Sequence, residues 1–178
     1  MLSPKVAAIT VGCCFVLLIL VTAAASADDP CALPVGLREE ISKDYPQGKV
    51  VRLSDLSEDD RNFFRKDHGN ACPGLAEVDF YGDKKPTWAV ALLEKGTKFK
   101  VELVVAHQAE KVWEIKSLDS EKGDVPVVWR QNPGKYDDIY GEKTIRATKP
   151  VIVFCAYEAW AILYAWTGKS VDKIWLSD

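Results

Sequence analysis

The chain has 178 residues, with 23 basic against 26 acidic side chains and a net charge of −3. That length suits one domain with a proper core. A mildly acidic chain with interspersed lysines lacks the basic patch that nucleic acid or anionic lipid would require.

The chain opens with Lys5, an apolar run from Val6 to about Ala25, and then Ala25-Ser26-Ala27. A charged start, an apolar middle and an A-x-A site are the layout of a secretory signal. On this reading residues 1–27 are a signal peptide cleaved near Ala27, and residues 28–178 are a single secreted or periplasmic domain with no membrane contact. The alternative is an uncleaved signal that anchors the protein, because the run approaches the roughly 20 residues a membrane helix needs. The small residues Ala23, Ala24, Ala25 and Ala27 favour cleavage. Thr10-Val11-Gly12 before Cys13 does not have the large aliphatic start of a lipobox. Lys5 is the only charged residue in the segment, so cleavage makes the remainder one unit more negative.

Cys31, Cys72 and Cys155 remain after cleavage. In an oxidising compartment, three cysteines imply one disulfide and one leftover thiol. Cys31, beside Pro30, and Cys72, in the loop Asn70-Ala71-Cys72-Pro73-Gly74, are the expected pair. Cys155 lies in an apolar run, where a free cysteine acts as a small hydrophobe. Spacing alone leaves a pairing with Cys155 open.

Leu37, Ile41 and Tyr45 recur at four-residue spacing, predicting a short amphipathic helix stopped by Pro46. Gly48 to Leu53 reads as a strand. Ser57 to Asp67 reads as a second helix, with Ser57 as N-cap, Glu58, Asp59 and Asp60 in the first turn, and Gly69 as a stop. Strands are expected over 75–80, 87–94, 98–107 and 111–118. In the third of these, Phe99, Val101, Leu103 and Val105 share a face. A polar loop follows at 121–124, then a short strand at 126–129. Asn132-Pro133-Gly134-Lys135 has the Pro-Gly centre of a type II turn, and 136–149 reads as irregular. The β-branched and aromatic residues of 150–178 predict an antiparallel meander at the centre of the sheet, turning at Gly168. The fold class expected is α+β: two N-terminal helices packed on a mainly antiparallel sheet of about six or seven strands.

Asp79-Phe80-Tyr81-Gly82-Asp83-Lys84-Lys85-Pro86-Thr87 is the most suggestive local motif. It resembles the calcium loop of FG-GAP repeat domains, roughly D-x-D/N-G-D-G-x-x-D before an apolar strand. It is also similar to loops in small exported bacterial proteins that end in an aromatic hairpin and Ser-Asp. The first resemblance implies Asp79 and Asp83 as metal carboxylates. Tyr81 and Thr87 stand at the other ligand positions, and two carboxylates make a weak site for an ion that takes six to eight oxygens. The competing reading is a turn capped by aspartate side chains.

Nucleophilic chemistry has little to draw on. There is no G-x-S-x-G, no H-E-x-x-H and no glycine-rich phosphate loop. Cys72 or Cys155 with His68 or His107 would make a thiolate pair only if disulfide formation and burial spared the cysteine. Glu158 is the one acid embedded in the terminal apolar run. It is the single acid/base candidate, where acid–base work calls for two. Trp129, Arg130, Tyr136 and Tyr140 form a candidate binding surface, since aromatics beside charges on irregular segments often recognise partners. The plainer reading is that these rings cover an open sheet face.

The sequence therefore favours an exported non-enzymatic domain that binds an unknown protein or small ligand, without a cofactor. The alternatives are a hydrolase-like enzyme using Glu158 and a weak calcium-binding adhesion module.

Overall fold

The computed structural model describes residues 29–95 and 99–178. The segment read as a signal lies outside them. Among the described residues no helix is long and apolar enough to cross a membrane.

Two short helices come first. Helix α1 (Leu37–Asp44) buries Leu37 and Ile41, one turn apart, and the Tyr45 N–H closes its end on the Ile41 carbonyl at 2.8 Å. Helix α2 (Glu58–His68) starts where the Ser57 hydroxyl accepts the Asp60 N–H at 3.1 Å, with three acids in its first turn. Both features satisfy the free N–H groups and positive dipole of a helix start. Gly69 ends it at φ 62°.

The strands form three antiparallel sheets. In the first, β1 (Lys49–Val50), β3 (Thr87–Lys95), β4 (Phe99–Ala109) and β5 (Val112–Lys122) follow in that order, and β2 (Leu75–Glu77) shares β3's outer edge with β1. Gly74 makes that shared edge possible. Its carbonyl accepts the Ala91 N–H at 2.9 Å. A Cβ there would lie 2.5 Å from the Val51 backbone nitrogen. The second sheet contains β6 (Val127–Gln131), β9 (Val151–Ala156), β10 (Trp160–Trp166) and β11 (Val171–Ser177), in spatial order β11-β10-β9-β6. The third is the hairpin of β7 (Gly134–Asp137) and β8 (Thr144–Ala147).

Alternation along the strands sorts their side chains into layers. Ala89, Ala91, Leu93, Val101, Leu103 and Val105 of the first sheet face Ile152, Phe154, Ile162 and Tyr164 of the second. On the first sheet's other face, Val90, Leu92, Val104 and Ala106 pack with Leu37 and Ile41 of α1. On the second sheet's outer face, Val151, Val153, Leu163 and Ala165 lie with Ile145 of the hairpin and the Tyr136 ring. The sheets are stitched at both edges. The Val128 N–H reaches the Pro73 carbonyl at 2.7 Å. Opposite, Asp119 of β5 accepts the Tyr164 hydroxyl and the Lys173 ammonium, the latter at 3.1 Å.

These layers overturn the α+β expectation. Among the described residues 47% are strand and 15% helix, spread over eleven strands in several sheets. The arrangement is mainly β, with two stacked sheets rather than two helices on one. Of the two helices, α1 covers a sheet's outer face, whereas α2 inserts Phe64 into the core between the sheets. The terminal meander is present as β9, β10 and β11, but it forms three strands of the second sheet, not the centre of one. Two further corrections follow from local geometry. The segment 136–149 contains most of the β7–β8 hairpin, and Gly134 starts β7 rather than taking the positive φ of a type II turn. The strand at 48–53 is cut to two residues by a 3-10 turn at Leu53–Asp55.

Candidate functional site

A concavity of about 510 Å³ opens between α1 and the β1 edge of the first sheet. That volume falls within the range of small-molecule sites, about 300–1,000 Å³. Ile41 of α1 and Leu92 of β3 line it, each at most 3% exposed, with Leu33 and Val50 half-buried beside them. Gly48 lets the chain pass tightly here, since a Cβ on it would meet the Tyr45 Cβ at 3.2 Å and the Leu92 Cβ at 3.4 Å.

The exposed mouth carries Arg38, Lys49 and Arg52. Arg52 grips Asp29 with both guanidinium nitrogens, at 3.0 and 2.6 Å. This fork-to-carboxylate geometry is the strong form of an ion pair. It holds the Asp29 carboxyl below its usual range, assisted by the Cys31 N–H. Cys31 is joined to Cys72 in a disulfide, so the pairing expected from the sequence is the one formed. The bond and the Asp29 clamp together fix the N-terminal segment as one wall of the cleft.

The other sequence candidates are dispersed. Asp79 and Asp83 cap their own turn: Asp79 Oδ1 accepts the Lys84 N–H at 3.2 Å, and Asp83 Oδ1 accepts the Lys85 N–H at 3.1 Å. The other Asp83 oxygen lies 3.2 Å from His107 Nε2, while His107 Nδ1 lies 3.0 Å from the Thr87 hydroxyl. Threonine, histidine and aspartate are thus connected in the order of a catalytic triad. Thr87 is 0% exposed, however, so no substrate reaches its hydroxyl. Among the described residues no three His, Cys, Asp or Glu side chains converge as metal ligands.

Glu158 stands exposed in the β9–β10 turn at φ 59°. Trp129 lies between the two cores and against His68, whose ring is also 4.8 Å from Phe64. Burial lowers the His68 pKa despite nearby Asp67. Tyr136 packs on the second sheet and donates to the Asn132 carbonyl. Arg130 and Tyr140 are exposed, with the Tyr140 hydroxyl on the Asp178 carboxylate. Trp129 and Tyr136 therefore cover a sheet face. Cys155 is free and buried, and burial pushes its thiol up to about 12, away from thiolate chemistry.

Sequence reasoning missed the cleft. Its apolar residues carried a signal, the Leu37–Ile41–Tyr45 stripe, but the cations at its mouth look like ordinary surface charge until α1 is placed beside β1. No protein-family model, curated protein or solved structure matches the chain.

Proposed function

We propose that this is an exported, non-enzymatic domain that binds a small ligand in the cleft between α1 and β1. The observation that carries the reading is the cleft itself: an apolar floor, a charged mouth and drug-sized volume. A disulfide supports the exported setting, because such bonds persist where the surroundings are oxidising. The test is a fragment screen followed by ¹H–¹⁵N chemical shifts on the purified protein and on Ser42→Trp, which places an indole in the cleft from an exposed helix position. Hits should map to α1, β1 and Leu92 and disappear in the variant. Hits that map elsewhere and survive the indole refute the reading.

A second reading, binding of a protein, is favoured by one patch. Ile139, Tyr140 and Trp175 are 46%, 61% and 36% exposed, and the Ile139 N–H reaches the Trp175 carbonyl at 2.9 Å. Neighbouring exposed apolar side chains mark contact surfaces more often than isolated ones do. Replacing Tyr140 and Trp175 with serine should abolish capture of an envelope partner; unchanged capture removes this reading.

A further inference from the structure

The chemistry of the cleft narrows its occupant, on the reading above that it is a ligand site. Its floor offers a ligand hydrocarbon from Ile41 and Leu92, flanked by Leu33 and Val50. Its mouth carries three cations, Arg38, Lys49 and Arg52, against one acid, Asp55, on a chain whose net charge is −3. The cations there differ in what they already hold. Arg52 is committed to Asp29 through two short contacts, and its own backbone N–H is held by the Asp55 carboxylate at 3.0 Å. Glu102, which acts on Tyr45 at the far wall, is bonded to Ser117 and Lys100 at 2.5 and 3.1 Å. Arg38 and Lys49 have no ion pair to a carboxylate among the described residues. Arg38 acts on Asp29 only at a distance, and two cations outside any ion pair above a hydrocarbon floor complement a molecule with one anionic end and one apolar end.

We infer that the cleft takes a small amphipathic carboxylate, its acid group between Arg38 and Lys49 and its chain on Ile41, Leu92 and Val50. Arg38 supplies a planar fork suited to two carboxylate oxygens, and Lys49 a mobile point charge. Arg52 fixes the wall rather than the ligand.

The test compares three eight-carbon probes on the purified protein by ¹H–¹⁵N titration: octanoate, neutral octan-1-ol and cationic octylammonium. The expected result is shifts at Ile41, Val50 and Leu92 with octanoate bound at least tenfold more tightly than octanol. Octylammonium should be weakest. The double variant Arg38→Ala with Lys49→Ala should lose that tenfold preference while its affinity for octanol stays unchanged, which a merely misfolded cleft would not allow. If octanol binds as tightly as octanoate with the same shifts, the carboxylate assignment is overturned and the cleft survives as a ligand site. If no probe shifts the floor residues, both fall.

Discussion

The Cys31–Cys72 bond offers the most direct test of how this domain holds together. It closes a loop with a sequence separation of 41 residues, from the cleft wall to the loop before β2. Restricting the unfolded chain over a loop of that length is worth about 4 kcal/mol in the chain-entropy account. Both cysteines are also 4% exposed within the core beneath α1, so the bond crosslinks parts that are already packed. The perturbation is Cys31→Ala with Cys72→Ala, which keeps small apolar groups at both positions and leaves Cys155 as the sole described thiol. Urea unfolding followed by tryptophan fluorescence is the assay. With a slope near 2 kcal/mol per molar, the midpoint should fall by about 2 M. Reduced wild type should fall by a similar amount. A loss under about 1 kcal/mol would refute the reasoning. It would mean that α1 is held by its apolar face alone and the bond merely decorates a finished structure.

Asp119 joins the two sheets, and its behaviour with pH has a definite sign. Burial raises its pKa, but bonds from the Tyr164 hydroxyl, the Ser120 N–H and Lys173 outweigh that and leave it below 3.8. A depressed folded pKa means the contribution is present in full above the unfolded value and is lost as pH falls through the lower folded one. Tyr164→Phe should therefore cost about 1–3 kcal/mol at pH 7 and visibly less at pH 3; an equal cost at both rules out the carboxylate as the reason. At Glu158 the positive φ is a strain that asparagine tolerates better, so Glu158→Asn should raise stability by about 0.5–1 kcal/mol. A thermal melt that instead moves down assigns the glutamate a contact that its exposed turn does not display.

How far the sequence could be read follows from which faces are buried. The apolar stripe of α1 and the capped start of α2 were visible because each helix has one wet side, where period 3.6 survives. The run Val151–Ala156 is buried at every position, and Trp160–Trp166 nearly so, because one face meets the first sheet and the other meets the β7–β8 hairpin. A strand covered on both faces loses its period of two. The run announced a strand but not the second layer behind it, and a single sheet was the simplest inference. The hairpin itself was hidden for the opposite reason. Of Lys135, Tyr136, Ile145 and Arg146, only the two middle residues pack inward, too few to mark a strand among charges. Gly134 was misplaced because a Pro-Gly pair signals a turn locally, and the pairing of Gly134 with Ala147 overrode that preference.

The same distinction between local and long-range information bears on function. Every reactive side chain that the sequence singled out has a structural occupation in the fold. Cys31 and Cys72 hold each other, and Cys155 is buried as a thiol. His68 packs at a tilt between Phe64 and Trp129, and His107 is held between Asp83 and Thr87. Glu158 sits at a turn. Catalysis needs a group placed to reach a substrate and poised to change its protonation or bonding, and these groups are either enclosed or alone. Arg38 and Lys49 are different. They are exposed beside a hydrocarbon floor, and neither forms an ion pair to a carboxylate within the described residues. Each is an unremarkable surface cation in the sequence, eleven positions apart, with a helix end and a turn between them. Only the docking of α1 against β1 brings both to the same mouth. Interactions left unmade by folding are the ones available to a ligand, which is why the binding reading is placed on these two residues.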